Sequence, residues 1–358
     1  MARARVRITQ QRDGLMARET GDAGRFVVGT GRCGSTLLSN MLARYPRLVI
    51  LNEFFATFDR TALLDRNPVG GERFAQRLLE TRSAFELLRS RRRLLEQASA
   101  QAMINRRLPP FLMADQPVAF LPLALTRVAR AMHLDASLLT ARAVRFLKAL
   151  PEQAPSAHYL ALFHWLATQS ASTAGWCERS GVSLESLGAM AEAFPQARFV
   201  HLHRDGSTTA LSMHAHPVFT LEISLRLKPL TAHEVALAAA PPVDGSDPVV
   251  RRLTTEAPSV EDCGRYWSEV VVAGMQAVAR LGDRCLDVRC EELVADPRGT
   301  LERIARFLRL DANQPWLREA AALADPTMVV GRLPHLAPQT RAALEEACLP
   351  GQRALGRA

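Results

Sequence analysis

The sequence predicts an α/β fold in which a parallel central sheet carries a large helical insertion. Three stretches predict it. Between Arg25 and Glu53 an apolar run, a glycine-rich turn, a helical run and a second apolar run follow one another. Alternation of helix and strand resumes from Leu184 to His214 and again after Arg284. In between, Phe54 to about Gly175 places apolar residues at helical spacing against Arg and Glu, with no strand pattern.

Residues 1–24 form a basic tail whose opening, "MARARVRITQQRDG", lacks the apolar core of a signal peptide. "RFVV" (Arg25–Val28) has the composition of a short buried strand. Leu37, Leu38, Met41 and Leu42 then recur at helical spacing until Pro46 stops the helix, and "RLVILNE" (Arg47–Glu53) predicts a second strand. The insertion, residues 54–175, is expected to form a helical cap. Its densest basic run, "RSRRRL" (Arg89–Leu94), predicts a solvated helix face. The longest segment without formal charge, Gln153 to Cys177, contains Pro155, His158, His164 and Gln169, so it predicts a buried helix and no membrane span.

The second α/β stretch predicts a helix at "LESLGAMAEAFP", a strand over Ala197–His203 and a helix at "DGSTTALSMHA". Ala238–Val250 has the Pro/Gly/Asp content of a loop. Ser259 and Asp262 form a capping box that starts a helix through Trp267 towards Leu281. "RCLDVRCEEL" predicts a strand, and Pro297 opens a helix in "DPRGTLERIARFLRL". With no internal repeat, residues 25–358 are expected to be one domain carrying the insertion.

Composition narrows the chemistry. The 358 residues carry a net charge of +9, which suits an anionic ligand. A nucleic-acid surface is not expected, because aromatics make up only 6% and no basic stripe interleaves with them. Lys148 and Lys228 are the only lysines among 45 basic residues, so an arginine in a lysine's place carries little information by itself. Six cysteines without CxxC spacing suit a reducing cytoplasm.

The turn Gly29-x4-Gly34, followed by Ser35 and Thr36, aims backbone N–H groups and a helix dipole at one spot, which binds phosphate or sulfate. This is the frame of a nucleotide-binding P-loop within a three-layer α/β/α fold, yet Ser35 stands where that loop needs lysine. Arg32, inside the turn, is the replacement cation. A kinase or other Mg-ATP protein is the rival, but it also needs an Asp ending a buried strand, and none is convincing. Glu53 ends the second strand, 21 residues after Arg32. Adjacent parallel strands would bring both to one sheet edge, where Glu53 could take a proton or pair with a nearby arginine. His201, His203, His214 and His216 offer a competing base, and their HxH…HxH pattern a weaker zinc alternative; no metal is expected. Cys33 lacks nucleophile partners, although a helix N-terminus could lower its pKa and sensitise it to oxidation.

"GTGRCGSTLLSNMLARYP" resembles the 5′-phosphosulfate loop of bacterial sulfotransferases that use 3′-phosphoadenosine 5′-phosphosulfate (PAPS). The resemblance implies that Arg32, Cys33, Gly34, Ser35, Thr36 and Leu37 wrap the phosphosulfate. "FPQARFVHLHRDGSTTALSMH" is similar to the family's 3′-phosphate motif, with Arg204 at the strand end and Ser212 eight residues later. "WCERSG" is similar to a Lys-Ser/Thr/Asp-Pro segment, with Arg179 and Gly181 as departures, and "VGRLPHLAP" to a C-terminal basic loop that includes Arg332. The match covers Arg25–Glu53 and Trp176 to about Gly356. By resemblance, Glu53 is the base, and Arg32 and Arg179 stabilise the leaving phosphate. PAP is the product, and the acceptor is a small-molecule, glycan or lipid hydroxyl, or an amine. A PAP-binding protein without activity is the remaining alternative. The identity of the acceptor and the oligomeric state stay open at this level.

Overall fold

A computed structural model describes residues 24–57, 66–79, 87–88, 90–91, 94–95, 122–170, 174–240, 246–312, 314–329 and 333–357. Five strands form one parallel sheet: β1 (Arg25–Val28), β2 (Val49–Asn52), β3 (Trp176–Arg179), β4 (Arg198–His203) and β5 (Cys285–Arg289). Their order is β2-β3-β1-β4-β5. This is the α/β class expected, with one correction that matters for the site. The uncharged segment does not run on as a helix to Cys177. Its helix covers Pro155–Thr168, and the chain re-enters the sheet at Trp176 as β3. β3 therefore separates β1 from β2, which are not neighbours. Register sets Arg179 level with Val27 of β1 and Asn52 of β2, at the C-terminal edge.

After β1 comes α1 (Ser35–Leu42). The described part of residues 54–175 holds α2 (Phe54–Thr57), α3 (Gly71–Leu79), α4 (Leu123–Ala131), α5 (Ala136–Lys148) and α6 (Pro155–Thr168). Beyond β3 follow α7 (Leu187–Ala193), α8 (Gly206–His214), α9 (Pro217–Leu227), α10 (Ala232–Ala239), α11 (Pro248–Thr254) and α12 (Val260–Leu281). After β5 come α13 (Cys290–Ala295), α14 (Pro297–Phe307), α15 (Gln314–Ala321) and α16 (Pro338–Ala354). Ser259 and Asp262 make both bonds of the anticipated capping box at the start of α12. "RCLDVRCEEL" is a strand only to Arg289, and its second half is α13. The expected loop at Ala238–Val250 is also shorter, because Asp247 accepts from Val249 N–H and starts α11 with Pro248 in its first turn.

Strand alternation divides the interior into two cores and three layers. Phe26, Val28, Val49, Leu51, Trp176 and Phe199 face one side. There they pack with α6, α8 and α12 and with insertion residues Phe54, Phe74, Val128, Leu139 and Phe163. Phe26 sits at the centre, its ring within 5.5 Å of Trp176, Phe194 and Phe199. Val27, Ile50, Cys177, Val200, Leu202 and Val288 face the other side, under α1, α14 and α15. The insertion helices thus share a core with the sheet.

A third, smaller cluster joins Leu88 and Leu95 to Val218, Leu221, Val249, Val250 and Leu253. It overturns the solvated-face expectation for "RSRRRL" at Arg91, which is 2% exposed. Arg91 donates from Nε to both Asp247 carboxylate oxygens and from Nη2 to the Ala238 carbonyl. A buried guanidinium is tolerable here because each bond goes to a fixed acceptor. The arginines at 89, 92 and 93 lie outside the described residues.

Candidate active site

The loop between β1 and α1 is built around backbone shapes that side chains would obstruct. Gly31 and Gly34 have φ of 78° and 92°. A Cβ would fall 2.2 Å from the Phe219 ring at Gly31 and 2.4 Å from Cys290 Sγ at Gly34. Gly34 is the N-cap of α1, no side chain caps the helix, and its first turn holds no acidic residue. With neither a side-chain cap nor a first-turn carboxylate there, the positive end of the helix dipole favours an anion at this spot. Cys33 and Leu37 are buried: Leu37 packs in the core under α1, and the Gly31, Cys33 and Ser35 N–H groups are directed at the Cys33 thiol. Burial pushes the Cys33 thiol up, outweighing any lowering by the helix N-terminus and in keeping with its lack of nucleophile partners.

Two non-glycine residues flanking this edge also occupy the left-handed region: Arg32 at φ 55° and Glu53 at φ 65°. Such conformations cost about 1 kcal/mol or more each and persist where surrounding bonds impose them. For Glu53 the bonds are explicit. Its N–H donates to the Arg179 carbonyl at 2.7 Å, closing the β2–β3 ladder one residue past the strand. Its Oε1 is ion-paired with the Arg179 guanidinium, and its Oε2 accepts from Gly181 N–H at 2.9 Å. Arg127 Nη1 of α4 stands 3.8 Å from the same Oε1. Arg179 Nη2 in turn reaches Thr36 Oγ1 at 3.4 Å, so one guanidinium spans the carboxylate and the first turn of α1.

Arg204 follows β4 directly and Ser212 lies two turns into α8, on the other side of the loop from Glu53's strand. Arg32 Nε donates to Ser212 Oγ at 3.0 Å, which joins the two glycine-loop and strand-end motifs in one place. Burial lowers the Arg32 pKa, and Arg204 and Arg179 lower it further by like-charge repulsion. Among the described residues, Nε of Arg179 and Nε of Arg204 are buried without a hydrogen-bond partner. A cluster of like charges with unused donors is the electrostatic signature of a polyanion site.

The histidines divide. His201 Nδ1 and His203 Nε2 bond to the two oxygens of Asp287 at 2.6 and 2.9 Å, and their rings stack. Burial lowers His201, whereas the two histidines hold Asp287 below the usual carboxylate range against its own burial. His216, at the N-cap of α9, is pushed down to about 3 by burial and by Arg32 and Arg127, so it sits at the site in neutral form. No group of three or more His, Cys, Asp or Glu side chains suited to a metal is assembled among the described residues. Likewise no described helix is long and apolar enough to cross a membrane. Arg332 lies outside the described residues.

Sequence reasoning missed Arg127, whose neighbours "LALTRVARA" read as an ordinary amphipathic helix. It also gave no role to Glu178, Ser180 or the Gly181 N–H. Their only signal was the "WCERSG" segment itself.

Among solved structures, the sulfotransferase domain from the curacin biosynthetic pathway aligns at a TM-score of 0.46 and 15% identity, over 90% of this chain and 96% of that one. Sulfotransferase STF1 from Mycobacterium tuberculosis H37Rv aligns at 0.41 and 18% identity, over 91% and 76%. Protein-tyrosine sulfotransferase 1 of Danio rerio is 24% identical over 140 residues, 39% of this chain and 29% of that protein. The chain thus spans less than a third of the length of that relative. The model of the sulfotransferase family matches residues 25–238 and 249–314, which takes in the glycine loop, Glu53, Arg179, Arg204 and Ser212, and the chain belongs to that family.

Proposed function

We propose that the chain transfers a sulfuryl group from PAPS to a hydroxyl or amine acceptor, with Glu53 accepting the acceptor's proton. The observation that carries this reading is the Glu53 carboxylate at the C-terminal sheet edge, bonded to the same Arg179 that touches the first turn of α1. Base and anion loop are thereby within one side chain of each other.

The residues suit the donor. The N–H groups of the loop and α1, with Arg32, would hold the 5′-phosphosulfate, and Arg204 with Ser212 the 3′-phosphate. The buried unused Nε donors of Arg179 and Arg204 support that assignment. When bound, PAPS supplies an electrophilic sulfur and a phosphate leaving group, and no metal is required. Arg179 then has two tasks. Turned towards the leaving phosphate it offsets developing charge, and in doing so it loosens its hold on Glu53 Oε1, freeing that oxygen for the acceptor proton. Glu53 Oε2 stays on the Gly181 N–H meanwhile, so the carboxylate keeps its orientation. The insertion forms the acceptor side in this proposal, a role supported by Arg127 of α4 reaching Glu53.

A thermal-shift comparison of PAP with Mg-ATP tests the reading. Stabilisation by PAP without magnesium is expected; stabilisation by Mg-ATP alone would overturn it in favour of a P-loop kinase. Glu53→Gln then separates an enzyme from a PAP-binding protein, with sulfation expected to fall at least about a hundredfold while PAP still binds.

A further inference from the structure

The four residues Glu178 to Gly181 each grip the chain between Glu53 and Phe55. Glu178 Oε1 accepts from Phe54 N–H at 3.2 Å and from Ser180 Oγ at 2.5 Å. Arg179 takes the Glu53 N–H on its carbonyl and the Glu53 carboxylate on its guanidinium. Ser180 Oγ accepts from Phe55 N–H at 2.8 Å, and Gly181 N–H donates to Glu53 Oε2 at 2.9 Å. Glu178 and Ser180 are at most 1% exposed. Together they satisfy the leading N–H groups of α2, which a four-residue helix cannot satisfy internally. The grip surrounds a residue at φ 65°, so the left-handed turn at Glu53 is held from the next strand and not by its own sequence.

We propose that Glu178–Gly181 is a positioning clamp for Glu53, in which the Ser180 hydroxyl fixes the backbone just beyond the base and the Gly181 N–H fixes its carboxylate. This rests on Glu53 being the proton acceptor. The proline of the Lys-Ser/Thr/Asp-Pro pattern would have no N–H to give. Gly181 here supplies one, and its N–H is the clamp's contact with Oε2 itself. Space is not the reason for the glycine: a Cβ at Gly181 would meet nothing closer than 3.5 Å.

Two pairs of variants test the clamp in the full-length protein. Ser180→Ala removes the acceptor for Phe55 N–H and the donor to Glu178 Oε1, and leaves the Glu53 carboxylate's own contacts in place. It should lower kcat for sulfation about tenfold while leaving KM for PAPS and the PAP thermal shift unchanged, and Ser180→Thr, which keeps the hydroxyl, should restore kcat. Gly181→Pro should lower kcat at least fivefold where Gly181→Ala, which keeps the N–H, does not. A kcat within twofold of the parent in both Ser180→Ala and Gly181→Pro would overturn the proposal, as would parallel loss of kcat and PAP binding. The clamp is also read without turnover, so that failure of the base assignment is told apart from failure of the clamp. Glu178→Ala and Ser180→Ala should be non-additive in urea unfolding, and strict additivity would count against it.

Discussion

Arg179 and Glu53 meet twice across the β2–β3 boundary, once through their charged side chains and once through the Glu53 N–H on the Arg179 carbonyl. Both side chains are under a tenth exposed. The backbone bond sets the spacing, so the ion pair forms between groups already held in place and loses little side-chain freedom in forming. Removing one partner of a buried pair leaves the other charge uncompensated, and that loss commonly exceeds what the pair contributed.

Arg179→Ala should therefore destabilise the fold by about 3 kcal/mol, the lower end of the range for broken buried pairs, because Arg127 remains near Glu53. Arg179→Lys should cost less in urea unfolding, yet turnover should fall markedly. A single ammonium cannot span Glu53 and Thr36 as the guanidinium fork does. Equal stability losses in the two variants would contradict this account.

Glu178 gives the fold a pH dependence of definite sign. Burial is the largest cause that pushes its carboxyl up to about 8 from 4.5, and the nearby Glu53 charge adds to it against the Ser180 hydrogen bond. Since the folded value lies above the unfolded one, the folded state binds the extra proton between them. The resulting stability is complete below about pH 4.5 and is lost as pH rises through about 8. Glu178→Gln keeps an acceptor for Phe54 N–H and Ser180 without the titration. Its unfolding free energy should stay flatter than the parent's between pH 5 and 8.5, with the variant gaining most at the alkaline end. Parallel pH curves for the two proteins would show that Glu178 does not titrate in this window.

The buried Arg91–Asp247 pair is a second place where charge holds the fold, here between the insertion and α11. Asp247 also caps α11, so Asp247→Ala loses a cap and strands a guanidinium. It should cost about 4 kcal/mol, and Arg91→Met about 3. The double variant Arg91→Met/Asp247→Leu should recover a measurable part of the summed loss, because no unpaired charge is left behind. Full additivity in the cycle would mean that the two residues do not depend on each other.

What the sequence made legible follows from how each residue is buried. β1 and β2 carry apolar runs, β4 carries Phe199, Val200 and Leu202 alongside histidines that can be neutral, and Gly29–Gly34 advertises its turn by composition. β3 escaped because half of "WCER" is charged, and a charged residue breaks an apolar run whatever its partner. Glu178 and Arg179 can be buried because Glu53 and Phe54, just past the end of β2, meet them beside their own neighbour Ser180, and the pairing with the end of β2 is tertiary. Arg91 and Arg127 escaped for the same reason: on a helix, an arginine with a buried acceptor has the same spacing as one facing water. Glu53 was legible by its distance from Arg32, but its two bonds to β3 were not, since β3 itself was unseen.

Arg204 carries the last prediction, because it bears on which nucleotide the site prefers. It leaves the end of β4 with its guanidinium 9% exposed as a residue, beside the Arg32–Ser212 contact and with Nε unclaimed among the described residues. Among the described residues it has no acid partner and its charge repels that of Arg32; on the proposed reading, a bound 3′-phosphate would offset both charges at once. A charge-assisted hydrogen bond of this kind is worth about 1.5–3 kcal/mol. Arg204→Gln should therefore weaken PAP about ten- to a hundredfold by calorimetry. Adenosine 5′-phosphate lacks the 3′-phosphate and should bind both proteins with nearly equal affinity. Ser212→Ala should follow the same selectivity with a smaller loss, since it removes a neutral donor and frees Arg32 from its present bond. Equal weakening of PAP and adenosine 5′-phosphate in Arg204→Gln would move the 3′-phosphate contact elsewhere on the sheet edge.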